Sequence, residues 1–262
     1  MNLSLNNKMA KKSETSWGKV ATWYDNLLSM DDTYQKEVIL PNLLRLVDPQ
    51  KSDQILDLAC GQGFFAHALA ANGGELVGVD IAAELVKLAV QSAAKNEKFF
   101  VSSADDLSKF ASDSFNKVLI VLALQNIENL NQVIAEVARV LKKDGKFFIV
   151  LNHPAFRNPK KTSWGFDDEN KVQFRRVDEY LSESRTEIDM KPGSKNNKIT
   201  TVSFHRPLQL YIKNLAKNNF MISRLEEWIS HRSSEKGPRQ KAEDKARKEI
   251  PLFLFLEATK IK

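Results

Sequence analysis

Two aspartates and two glycines lie close enough in this chain to hold a polar ligand. Asp57, Gly61 and Gly63 fall within QILDLACGQG, and Asp80 closes the segment ELVGVD, 17 residues after Gly63. Ile55, Leu56 and Leu58 form a short apolar run of the kind that makes a buried parallel strand. A carboxylate inside such a run, Asp57, is costly to bury unless something binds it. Glycines that follow a strand and precede a helical stretch, here FFAHALAANGG, let a ligand approach bare amides at a helix N-terminus. An acidic residue at the end of the next strand can accept hydrogen bonds from both hydroxyls of a ribose. The plainer alternative is a βαβ turn that binds nothing.

LDLACGQG followed by VGVD resembles motif I and the next acidic motif of the class I S-adenosylmethionine-dependent methyltransferases. Spacing alone leaves a nicotinamide-dependent dehydrogenase open, because Ala66 stands where a third glycine would complete G-x-G-x-x-G and can substitute for it. Asp57 discriminates, since a negative charge four residues before Gly61 would repel a pyrophosphate. The resemblance implies S-adenosyl-L-methionine as cofactor and a set of residues around it. Asp57 would face the methionine amino group, with Ala59, Gly61 and Gly63 in the turn. Asp80 and Ile81 would lie at the ribose. Ser103 and Ala104 stand where many relatives carry Asp-Ala at the adenine, so the adenine amine falls to Asp105 or to a backbone carbonyl. Leu122 and Gln125, with Asn126, would line the sulfur end. Tyr24, in WGKVATWYDNLL, would close the site. Simple packing explains Trp17, Trp23 and Tyr24 as readily, and Asp105 and Asp106 also suit a loop before a helix.

These residues need a frame, and the chain alternates strands with helices throughout. QILDL, ELVGVD, FFVSS, FNKVLIVLAL and KFFIVLNHP read as five strands, and VLIVLAL is apolar enough to be central. FMISRLEEWI and PLFLFLEATK read as the sixth and seventh. Between them lie AAELVKLAVQSAAKN, QNIENLNQVIAEVARVLKKDG with Gly145 as its stop, and RPLQLYIKNLAKNN, all helical in period. YQKEVILPNLLRLV is also helical, and Pro41 must kink or split it. The expected fold is α/β: a doubly wound, mostly parallel seven-stranded sheet of the Rossmann-like methyltransferase type, with an inserted lid after the fifth strand. The resemblance places the last strand antiparallel between the fifth and sixth. Residues 1–15 are expected to be disordered, 16–262 to form a single methyltransferase domain, and 155–206 to be its substrate-recognition insertion. Within the insertion EIDM and ITTVSF suggest a hairpin with KPGSKNN as the turn.

Composition narrows the partners. The chain has 262 residues, 42% hydrophobic and 27% charged, with a net charge of +6. No apolar run approaches the roughly 20 residues of a membrane span. The N-terminal stretch lacks the apolar core of a signal peptide. One cysteine, Cys60, cannot form an internal disulfide, which suits a cytoplasmic protein. The four histidines are scattered and no His/Cys cluster exists, so no metal is expected. The basic stretches at the N-terminus and at 231–249 mix signs or lack aromatics, which disfavours nucleic acid. The absence of an Asn-Pro-Pro-Tyr type motif in LALQNI argues the same way. A small-molecule methyl acceptor is the leading reading, with the protein a monomer or homodimer. The rivals are a catalytically silent S-adenosylmethionine-binding regulator, a dehydrogenase, and an RNA or protein methyltransferase.

For the acceptor side, His153 is the candidate general base. It ends the fifth strand, ligands collect beyond the carboxyl ends of such strands, and imidazole titrates near pH 6.5. Capping the strand end is its alternative. His205 is the competitor; His67 and His231 are worse placed. Arg157, Arg175, Arg176 and Arg206 would suit an anionic group on the substrate, unless the insertion is a solvated excursion.

Overall fold

The computed structural model describes residues 17–190 and 199–262, together with the side chains there except those of Thr22, Tyr24, Leu27 and Ser29. The expected disorder of 1–15, the KPGSKNN turn and the Tyr24 side chain lie outside the described residues. Seven strands make one sheet: β1 (Gln54–Leu58), β2 (Glu75–Asp80), β3 (Glu97–Val101), β4 (Phe115–Val121), β5 (Leu141–Asn152), β10 (Phe220–Trp228) and β11 (Phe253–Lys260). Their order is β10-β11-β5-β4-β1-β2-β3. β11 runs antiparallel to both neighbours and the other pairings are parallel.

The apolar runs are continuous because both faces of the sheet are covered. Val118, Ile120, Phe147, Ile149 and Leu151 face one core layer, against α5 (Leu130–Val140) and α6 (Leu208–Lys217). Leu119, Phe148 and Val150 alternate to the other layer, against α2 (Leu40–Val47), α3 (Phe64–Asn72) and α4 (Ala83–Gln91). Period-2 alternation over two buried faces thus fills every position with an apolar residue. α1 (Ala21–Ser29) precedes the sheet and α7 (Gln240–Glu249) lies between β10 and β11.

Pro41 distorts its helix without splitting it. A π-helical turn over Gln35–Ile39 runs directly into α2, where Pro41 occupies the first turn, so the wider turn accommodates a residue that has no N–H to donate. The helix before β5 is shorter than its sequence pattern. It spans Leu130–Val140, preceded by a 3-10 turn at Leu124–Asn126. Leu141 is already extended, and Asp144, not Gly145, takes the left-handed conformation. Gly145 serves close approach instead: a Cβ there would lie 2.8 Å from the Lys142 carbonyl oxygen.

Two hairpins leave β5 before α6. β8 (Ser184–Asp189) and β9 (Thr200–His205) form the expected one. β6 (Thr162–Asp167) and β7 (Val172–Val177) form another, antiparallel, which the sequence pattern did not predict. Its turn is held by the Asp167 carboxylate, which accepts from the backbone N–H groups of Glu169 and Asn170. No helix among the described residues is long and apolar enough to cross a membrane.

Candidate active site

The carboxyl ends of β1, β2 and β4 open onto a cavity of about 300 Å³. Ala59 and Gly61 line it from the turn after β1, Asp80 and Ile81 from the end of β2, Ser103 and Ala104 from the loop after β3, and Leu122 from the loop after β4. Seven of the expected cofactor residues, Gly61 among them, therefore share one wall. Ala59 and Leu122 both have φ near +54°, and they are the apolar non-glycine residues with positive φ among the described ones. Such backbone is costly for a residue with a Cβ and concentrates at binding sites. Gly61 (φ +58°) and Gly63 (φ +87°) complete the turn. Gly63 does not line the cavity; it precedes α3, and a Cβ on it would lie 2.6 Å from the His67 ring.

Both aspartates are buried, and the charge of Asp80 acts on Asp57. Asp80 accepts from the Gly61 N–H through Oδ2 (2.9 Å) and from the Ala82 N–H through Oδ1 (2.8 Å). Burial raises its pKa, and those donors oppose the rise. Each oxygen keeps lone-pair capacity for a further donor. Asp57 lies beneath the turn, 2% exposed, and its Oδ2 has no hydrogen-bond partner. Burial and the neighbouring Asp80 charge push its pKa well above the usual carboxylate range. Asp57 does not line the cavity, but its orphan carboxylate oxygen, two residues before Ala59 of the wall, has no donor of its own. The same two charges and burial raise the Cys60 thiol, so this cysteine is an inert filler.

A second cavity, also about 310 Å³, adjoins the first and shares Trp17, Leu122 and Asn126 with it. Tyr34, Gln125, Asn152 and Arg157 line it on the sheet side, and Thr201 and Ser203 of β9 close it from the insertion. Gln125 thus belongs to this cavity and not to the first, contrary to the sequence expectation. Its amide nitrogen donates to the Leu122 carbonyl (2.7 Å), which fixes the amide orientation and leaves Oε1 buried without a donor. Asn126 donates to the Val202 carbonyl (3.0 Å) and so ties the wall between the cavities to β9.

Several sequence assignments need correction. Asp105 does not line either cavity; its carboxylate accepts from Ser103 and from Asn129, so it braces the loop. His153 is not free to act as a base. Its Nδ1 accepts from the Ala155 N–H (3.2 Å), so Nε2 carries the proton and donates to Glu227 (2.7 Å). Burial holds its pKa below the usual imidazole value. The competitor His205 is buried and its Nε2 donates to the Tyr180 carbonyl (2.8 Å). Arg206 is likewise internal: its guanidinium binds the carbonyls of Leu124, Ile127 and Glu128. Arg176 pairs with Asp178 on the exposed outside of β7. His67 pairs with Glu97 and His231 with Asp32, and neither lines either cavity. Arg157 remains at the wall of the second cavity, and Arg175 lines neither of the two.

Sequence reasoning missed Tyr34 as a wall residue, and weighed Trp17 only for packing. The signal for Tyr34 was present, as the tyrosine that opens the Pro41 helix, but no local pattern showed which cavity that helix meets.

Residues 56–149 match a family described as the methyltransferase domain. The chain is 29% identical over 154 residues to a biotin biosynthesis bifunctional protein of Cellvibrio japonicus, covering 59% of this chain and 30% of that one. It is 30% identical over 141 residues to a demethylmenaquinone methyltransferase of Clavibacter sepedonicus, covering 50% and 57%. The chain therefore spans less than two thirds of the length of either curated relative. A solved structure from Listeria monocytogenes, ascribed to the S-adenosylmethionine-dependent methyltransferases, superposes with a TM-score of 0.67 at 26% identity over 85% of this chain and 97% of its own.

Proposed function

Because this chain belongs to the class I S-adenosylmethionine-dependent methyltransferases, we propose that it transfers a methyl group from that cofactor to a small-molecule acceptor in the second cavity. The observation that carries this reading is the junction of the two cavities at Trp17, Leu122 and Asn126. A ligand in each would meet its neighbour there. The name of the Clavibacter relative, a demethylmenaquinone methyltransferase, specifies a small-molecule acceptor and supports the same class.

The first cavity fits the cofactor on this chain's own chemistry. The orphan Oδ2 of Asp57 would take an ammonium group, and the spare lone pairs of Asp80 would take two ribose hydroxyls. Ser103, Ala104 and Ile81 offer a flat, mostly apolar slot for an adenine. When bound, S-adenosylmethionine supplies a methyl group already activated by its sulfonium. What the protein must add is alignment, worth on the order of 7–11 kcal/mol of the barrier. Asn126 and Leu122, locked by Val202 and by the left-handed turn, would fix the common wall. The unpaired Oε1 of Gln125 would accept from an N–H or O–H of the acceptor and orient it.

No histidine or carboxylate lines the second cavity among the described residues. The acceptor atom would then arrive as a ready nucleophile, without a protein base to deprotonate it. We read 16–262 as one domain with 155–206 as the acceptor-binding part, in a reducing, cytoplasmic setting. Calorimetry with S-adenosylhomocysteine and NADH, followed by turnover over a metabolite panel, tests the reading. Binding of the first alone and release of S-adenosylhomocysteine with at least one acceptor are expected. Binding of NADH would indicate a dehydrogenase. Cofactor binding with no turnover on any acceptor would leave the silent regulator.

A further inference from the structure

Beside the acceptor cavity lies a third, of about 280 Å³, which shares Tyr34 and Arg157 with it. Three arginines line it, Arg157, Arg175 and Arg247, with Trp164 and Phe156 as aromatic walls, and none of its lining residues is acidic. Arg175 is held in place: it donates to the Phe156 carbonyl (2.9 Å) and to Thr162 Oγ1 (2.6 Å) and lies 5.1 Å over the Trp164 ring. Arg247 donates through Nε to Ser234 Oγ (2.9 Å). Asp244, on the same helix, bears on the Arg247 charge but does not line the cavity.

Arg157 is the informative one. Its guanidinium lies 5.6 Å from the centre of the Phe253 ring and has no hydrogen-bond or ion-pair partner among the described residues. A partly buried cation with no counter-ion is costly, and the charge of Arg175 acting on it has the same sign. Burial pushes its pKa down; Tyr34 opposes the shift and Arg175 adds to it. Each guanidinium presents five N–H donors, of which Arg175 uses two and Arg247 one. The cavity therefore concentrates positive charge and unused donors against flat aromatic walls.

We propose that this cavity is the anion-recognition subsite of the methyl acceptor, taking a carboxylate or phosphate that the acceptor carries beyond the atom to be methylated. The proposal rests on the acceptor cavity being where methylation occurs. The forked guanidinium of Arg157, at the boundary, would bind the oxyanion with two parallel N–H···O bonds. Arg175 and Arg247 would supply the surrounding field, and Trp164 and Phe156 would favour an unsaturated group next to the anion.

The test uses the full chain as wild type, Arg157→Gln, Arg157→Lys and Arg247→Gln. S-adenosylhomocysteine affinity is measured first by calorimetry and should be the same in all four. Thermal melting is then followed with phenyl phosphate, benzoate or benzamide, with and without S-adenosylhomocysteine. The wild type should be stabilised by phenyl phosphate or benzoate and not by the neutral benzamide; the stronger of the two identifies the phosphate or carboxylate source. Arg157→Gln should weaken the anion about ten-fold or more, Arg157→Lys less. Arg157→Gln without ligand should melt no lower than the wild type, since it removes an unpaired cation. Equal response to benzamide, no response to either anion, or anion binding unchanged in both glutamine variants would overturn the proposal. Because the anion titrations also run without S-adenosylhomocysteine, failure of the cofactor to bind would sink the methyl-transfer reading separately. Should Arg157→Gln fail to fold, Arg247→Gln carries the same comparison.

Discussion

Asp57 shows how a single buried group can work against stability and for binding. Its folded pKa stands above the unfolded value because burial and Asp80 disfavour the charge. Between those two values the folded protein holds a proton that the unfolded chain has released. Stability must therefore fall as pH rises through that window, the reverse of an ion-paired aspartate. Asp57→Asn removes the penalty and keeps the shape. At neutral pH the ligand-free variant should melt about 2–4 °C higher, the shift that ~1 kcal/mol produces in a protein of this size. The same variant should bind S-adenosylhomocysteine about 10- to 100-fold more weakly, as expected for a lost charged hydrogen bond of roughly 1.5–3 kcal/mol. Differential scanning calorimetry and titration calorimetry on one preparation read both; a lower melting point would show that Asp57 is bound within the fold after all. This residue was legible in the sequence because a carboxylate in an apolar strand is conspicuous by itself. His153 was not. Its position at the strand end was read correctly, but its partner Glu227 is 74 residues away and reaches it only through the pairing of β11 between β5 and β10.

At the level of elements, the loop Leu122–Glu128 separates cofactor and acceptor cavities, and β9 holds it. Arg206 follows β9 and donates to three carbonyls of that loop, at 3.4 Å to Leu124, 2.9 Å to Ile127 and 2.7 Å to Glu128. Sequence reading placed Arg206 among substrate-binding residues because a basic residue at the end of an insertion suggests an anionic ligand. Only the fold shows that backbone oxygens already use it. Arg206→Met should leave buried carbonyls unsatisfied and cost about 2–4 kcal/mol by urea denaturation. It should also weaken S-adenosylhomocysteine, because the loop wall would loosen. Arg206→Lys should rescue little, since an ammonium cannot span three carbonyls. A variant of full stability and unchanged cofactor affinity, altered only in acceptor KM, would restore the substrate role. The seven sheet strands were readable because two-sided burial makes them apolar throughout. The β6–β7 hairpin was not, because apolar residues in it such as Trp164, Val172 and Phe174 are exposed, and none of its positions is buried to give a clear hydrophobic face. Its turn did leave a trace: the Asp167 carboxylate capping Glu169 and Asn170 is a local hydrogen-bonding pattern that DDEN could have signalled.

Taken as a whole, the molecule sets three cavities in a row along the carboxyl edge of one sheet: an aspartate at the first, amides and hydroxyls at the second, arginines at the third. Charge thus runs from negative to positive across the site, matching a cofactor with an ammonium group at one end and an acceptor with an anion at the other. The middle of the row, where bonds would change, holds Tyr34, Gln125, Asn126, Asn152, Thr201 and Ser203 but no carboxylate or imidazole among the described residues. The Tyr34 hydroxyl is shared with Ser230 (3.2 Å), and His153 is engaged by Glu227 and the Ala155 amide. The rate constant at saturating cofactor and acceptor should then carry no protein titration near pH 6.5, the usual imidazole range. It should instead rise with pH only as the acceptor itself loses its proton and stay level above that point. Profiles for two acceptors of different pKa, taken from those that turn over, decide the matter. Two curves whose midpoints track the acceptors support a site that aligns a ready nucleophile. A common midpoint near pH 6.5, lost in His153→Gln, would return the general base to the end of β5.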